Sequence, residues 1–75
     1  MEVPMTNTQF DLLLSLTSIR SDGVISAMRA VLVDGETQKA ASEQYGVNPA
    51  QLSIRLGVLK AVDQTVSKLT PFYSH

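Results

Sequence analysis

Apolar residues recur at helical spacing along this chain, and short polar signals cut the pattern into four stretches. Thr6, with Gln9 three residues later, resembles a capping box that opens a first helix running to about Ile19. On it Phe10, Leu13, Leu14 and Thr17 share one face, and Leu12, Leu16 and Ile19 form a second stripe beside them. A helix so apolar around its circumference is usually buried on more than one side, either by extra core or by another subunit. Ser21 is placed to cap a second helix from Asp22 to about Val33, with Ile25, Met28 and Leu32 as its main stripe and Asp34-Gly35 as its stop. Gln38 to Tyr45 reads as a third helix, and Pro49 to Leu69 as a fourth that Pro71 ends. Leu52, Leu56 and Leu59 point one way along that last helix, while Ile54, Val58, Val62 and Leu69 make a second stripe. Gly57 in its middle costs about 1 kcal/mol relative to alanine, a cost that close backbone packing explains better than approach to a phosphate. The pattern predicts an all-α domain of four to five helices without a sheet. Its core is expected to contain Phe10, Leu13, Ile25, Met28, Leu32, Ala41, Val47, Leu52, Leu56 and Leu59.

The third and fourth stretches together have the layout of a helix-turn-helix. Thr37 caps a short helix, Gly46 takes the left-handed conformation that ends it, and Val47 plugs the gap between the helices. Asn48 caps the second helix, and Pro49 occupies its first position, where a missing N–H does no harm. Ser42, four residues before the glycine, is small enough to let the second helix come close. Such a turn of three or four residues is the geometry that lays a second helix in the major groove of DNA.

Seventy-five residues make one small domain, so residues 1–75 are read as a single helix-turn-helix DNA-binding domain. There is no cysteine to staple a weak core or bind a metal, which leaves oligomerisation as the common remedy. No apolar run reaches membrane-span length, and Met1 to Thr8 lacks a signal-peptide pattern, so a soluble cytoplasmic protein is expected. The net charge of −1 argues against indiscriminate nucleic-acid binding. Its distribution is uneven, however. Lys39, Arg55, Lys60 and Lys68 outnumber Glu43 and Asp63 after Glu36, whereas acids dominate before it. So few bases favour cooperative binding by several copies.

Catalysis has little to work with. His75 is the last residue, no glycine-rich phosphate loop is present, and Asp34, Glu36 and Glu43 match no calcium-loop spacing. Neither a catalytic site, a metal, a cofactor nor a small-molecule substrate is expected. DNA contact is better supported. Asn48, Ala50, Gln51, Ser53, Ile54 and Arg55 share the surface left by the inward leucines at the end of the fourth helix that reaches base edges. Gln51 suits adenine, Arg55 guanine or a phosphate, and small Ala50 a thymine methyl. Gln38 and Lys39 can hold phosphate oxygens at the start of the third helix. For each of these the alternative is an ordinary solvated surface position. Leu12, Leu16, Ile19, Ile54, Val58 and Val62 are more apolar surface than one small core hides, and they form the expected oligomer interface. A helical dimerisation module without DNA binding is the competing reading.

Several blocks in order resemble the PapB-like regulators of bacterial fimbrial (adhesin) biosynthesis. They are Phe10-Asp11-Leu12-Leu13-Leu14-Ser15-Leu16-Thr17-Ser18-Ile19, Ser21-Asp22, Ala27-Met28-Arg29, Leu32-Val33-Asp34-Gly35, Tyr45, Leu56-Gly57 and Leu69-Thr70-Pro71-Phe72-Tyr73. A weaker resemblance, in Val31-Leu32-Val33-Asp34-Gly35, Gln38 and the Gly46 turn, points to KorA-type plasmid repressors. The first resemblance implies an all-helical protein that controls transcription of an adhesin operon. It also implies oligomeric binding to AT-rich sites in double-stranded DNA near the promoter, activating or repressing by occupancy. Minor-groove contact proposed for that family stands beside the major-groove reading given by the turn.

Overall fold

The first amides of a helix have no carbonyl of their own helix to bond, and three side chains meet that need here. Thr6 Oγ1 accepts from the Gln9 amide at 3.1 Å, Thr37 Oγ1 from Ala40 at 3.1 Å, and Asn48 Oδ1 from Ala50 at 2.8 Å and Gln51 at 3.2 Å. A helix follows each. The computed structural model describes residues 5–73, so His75 and the leading Met1–Pro4 lie outside the described residues. The helices are α1 (Asn7–Ser15), α2 (Asp22–Leu32), α3 (Gln38–Tyr45) and α4 (Pro49–Tyr73), with no strand among the described residues. The chain is all-α, as its periodicity predicts. Ser21 stands at the N-cap of α2 with an extended backbone, but its hydroxyl makes no capping bond.

Two helix ends differ from the periodic pattern. α1 stops at Ser15 rather than near Ile19, because its last residues turn back on tighter bonds. Leu16 and Thr17 donate to the carbonyls of Leu13 and Leu14, and the hydroxyls of Ser15 and Thr17 bond those of Leu12 and Leu14. Hydroxyl side chains offering local bonds of this kind compete with helix continuation. The turn folds Ile19 inward to 8% exposure, so it belongs to the core and not to an interface stripe. At the other end Pro71 does not terminate α4, which runs to Tyr73. The donor it lacks would have served the carbonyl four residues back, near a helix end where carbonyls are open to water anyway.

Phe10 from α1, Met28 from α2, and Leu52, Leu56 and Leu59 from α4 are the largest fully buried side chains. Each contributes roughly 1.5–3 kcal/mol by leaving water. Ala27, Ala30, Ala41 and Ser42 are buried beside them, and these small residues let α2 lie close against α3, its most extensive partner. Ile25, Leu32 and Val47, expected in the core, are only partly buried and flank it. Val62 also packs against the core and is partly buried. Leu12 and Leu16 stay 64% and 62% exposed. α1 is tied to α2 by Arg29, which donates to Asp11 at 2.7 Å and to Asn7 at 2.8 Å and lies over the Phe10 ring.

Beyond Asp63, every described residue of α4 is exposed, including Val66, Leu69, Phe72 and Tyr73. No helix among the described residues is long and apolar enough to cross a membrane. Gly57 is exposed too, and a Cβ placed on it would meet nothing within 4 Å. Close packing among the described residues therefore does not account for this glycine.

The two glycines of the α3–α4 half should respond oppositely to alanine. Gly46 has φ +63°, so Gly46→Ala should cost about 1–2 kcal/mol of stability. Gly57→Ala should instead add about 1 kcal/mol, because helix propensity improves and nothing is displaced. Urea unfolding monitored by circular dichroism separates the two signs.

Candidate nucleic-acid interface

The α3–α4 turn is held from three directions. Gly46 ends α3 in the left-handed region, and its N–H and that of Val47 are both directed to the Ser42 carbonyl. The Val47 side chain lies over Gly23 near the start of α2, where a Cβ on the glycine would sit 3.7 Å from a Val47 methyl. Asn48 then starts α4 through its two amide bonds. The orientation of α4 about its own axis follows from Leu52, Leu56 and Leu59, its three buried residues. With successive side chains about 100° apart, every other position near the N-terminus is assigned to a direction.

The expected DNA-contact residues fall into three groups. Asn48, Gln51 and Arg55 line a groove of about 470 Å³, which residues 18–21 of the α1–α2 connection also line. Ala50, Ser53 and Ile54 are exposed but do not line it. Gln38 and Lys39 are exposed at the start of α3, roughly 10 Å of helix rise away from the turn. Asn48 differs from the rest because its carbonyl oxygen is occupied by capping, leaving only its NH₂ to donate outward.

One groove residue is not found by helical spacing. Arg20 stands in the connection after α1 and lines the same groove as Arg55 of α4. Periodicity extends α1 to Ile19 and so makes Arg20 a helix-end charge. The signal that could reveal it is the hydroxyl run Ser15, Thr17 and Ser18, which favours a turn before it. Arg29, by contrast, is engaged at the surface between α1 and α2 by Asp11, Asn7 and Phe10.

Comparison with known proteins finds matches across nearly the whole chain. Residues 1–73 match the PapB family, described as adhesin biosynthesis transcription regulatory protein. The chain is 37% identical over 70 residues to the major pilus subunit operon regulatory protein PapB of Escherichia coli, covering 93% of this chain and 67% of that protein. It is 40% identical over 65 residues to the F1845 adhesin operon regulatory protein of Escherichia coli, covering 87% and 76% respectively. The crystal structure of Escherichia coli FocB aligns with a TM-score of 0.88 at 40% identity, over 93% of this chain and 80% of that one.

The geometry of Asn48 separates its capping role from any outward contact. Asn48→Ala should lower stability by about 0.5–2 kcal/mol, and Asn48→Asp should keep most of it because the carboxylate still accepts the same amides. Thermal unfolding of the two variants checks this. Equal losses in both would show that the cap oxygen is not what stabilises the start of α4.

Proposed function

The chain belongs to the PapB family of adhesin biosynthesis transcription regulatory proteins, and from that premise we propose that it binds double-stranded promoter DNA and regulates a fimbrial or adhesin operon. On this reading residues 1–75 form one DNA-binding domain acting in the cytoplasm, with no catalytic step, cofactor or metal. α3 and α4 act as its helix-turn-helix. The observation that carries the proposal is the anchoring of α4. Its buried leucines turn Gln51 and Arg55 away from the core, beside a capped helix start free to meet a duplex. Gln51 contacts a base, Arg55 a guanine or a phosphate, Ala50 and Ser53 flank them, and the Asn48 NH₂, Gln38 and Lys39 hold backbone oxygens.

Self-association completes the proposal, because a chain of net charge −1 holds DNA weakly as a single copy. Leu12, Leu16, Ile54 and Val58 remain exposed and supply the apolar surface for it. Exposed Gly57, between Ile54 and Val58, leaves room for another backbone to approach. Adjacent copies on AT-rich sites add their contacts, and binding becomes cooperative.

A salt-series gel shift on the chain's own promoter region tests this reading. Gln51→Ala and Arg55→Ala should each weaken cognate binding by roughly 1–3 kcal/mol per lost base contact. Lys39→Ala should lower affinity for all sequences and reduce the salt slope by about 0.9. Survival of cognate binding in the Gln51, Arg55 double variant would move the readout to the minor groove or to DNA shape. Sedimentation should show a dimer or larger species at micromolar concentration, dispersed by Leu12→Ser with Leu16→Ser. Self-association without any DNA binding would favour a dimerisation module instead.

A further inference from the structure

The groove beside the turn has a composition that the DNA-contact residues alone do not explain. Of the chain's three arginines, Arg29 is paired with Asp11, and the other two line this one groove from separate elements. Arg55 is half-buried and has no ion-pair partner among the described residues. Among the described residues Arg20 bonds only the carbonyl of its own neighbour Ile19, at 3.3 Å. Among the described residues no carboxylate lines the groove, whose other polar side chains include Ser21, Tyr45, Asn48 and Gln51. A guanidinium partly withdrawn from water without an anion is unfavourable, and two of them on one cleft favour an incoming oxyanion. The volume of about 470 Å³ exceeds what a bare phosphate fills and leaves space for an attached sugar.

We propose that this groove is a phosphate-binding site, with Arg20 on the α1–α2 connection and Arg55 on α4 donating to the same phosphate group. Gln51, the Asn48 NH₂ and the Tyr45 and Ser21 hydroxyls are further donors at its rim. The phosphate comes either from a duplex backbone or from a small phosphorylated ligand. Its assignment to DNA rests on the function proposed above, whereas the anion site does not. As the backbone site, the groove seats a phosphodiester next to the base facing Gln51, so the α1–α2 connection becomes part of the DNA interface.

Two measurements on the full chain test the proposal. In the first, inorganic phosphate is titrated against the ¹⁵N-labelled protein, with chloride at matched ionic strength as control. Saturable shifts are expected at the amides of Ser21, Gly46 and Gln51 and at the side-chain Nε of Arg20 and Arg55. Arg20→Gln should weaken them at least tenfold, and Arg20→Lys should restore them in part. Arg20 is exposed, so neither change disturbs the core. In the second, gel shifts over a salt series compare wild type with Arg20→Gln. A backbone phosphate predicts a slope lower by about 0.9, with affinity falling for cognate and scrambled duplex alike. Phosphate binding with an unchanged slope assigns the site to a small phosphorylated ligand, and a changed slope alone assigns it to the duplex backbone. If the wild type binds no DNA, the proposed function fails while the phosphate titration still decides the site. Phosphate shifts no larger than those from chloride, together with an unchanged slope or no DNA binding, would overturn the proposal.

Discussion

Leu52, Leu56 and Leu59 carry α4 into the core, and the direction in which they point decides what every other residue of that helix can meet. Phe10 and Met28 meet them from α1 and α2, so the setting of α4 depends on the whole core and not on the turn alone. A rotation of α4 by one residue would bury Gln51 and Arg55, or in the opposite sense Ser53 and Lys60, and expose the leucines, at a cost of several kcal/mol from desolvation and lost burial together. The groove, the exposed Ile54 and Val58 face and the position of Asn48 all follow from that setting. Past Asp63 the constraint ends, and the remaining turns of α4 carry their apolar residues into solvent.

The small residues matter as much as the large ones. Ala27, Ala30, Ala41 and Ser42 allow α2 and α3 to lie close, which brings Val47 of the turn over Gly23 at the start of α2, beside the groove. Charge is distributed with the same economy. Arg29 holds α1 to α2 through Asp11, Asn7 and the Phe10 ring, while Arg20 and Arg55 remain beside the turn. A chain with few bases thus concentrates two of them at one place, a stronger local attraction for an anion than the net charge implies.

Features set by neighbours along the chain are legible in the amino-acid sequence itself. Thr6, Thr37 and Asn48 cap as their positions predict, Gly46 adopts the left-handed turn, and the inward leucines of α4 are inward. The features that periodicity misplaces depend on competition between local and distant interactions. The hydroxyls of Ser15 and Thr17 capture carbonyls that a longer α1 would have used, and this turn sends Ile19 to the core and Arg20 to the groove. Pro71 is tolerated because it falls in the last turn, and Gly57 has no neighbour among the described residues to justify it. Of the site, Gln51 and Arg55 can be placed from helical spacing. Arg20 cannot, because its place depends on where α1 stops.

On the proposed function, the turn and the first half of α4 are the surface that meets DNA. Amide hydrogen exchange of the full chain, with and without a saturating promoter duplex at low salt, tests this most directly. Added protection is expected across residues 37–56 and in the α1–α2 connection. A bound duplex that leaves exchange unchanged throughout residues 37–56 would contradict it.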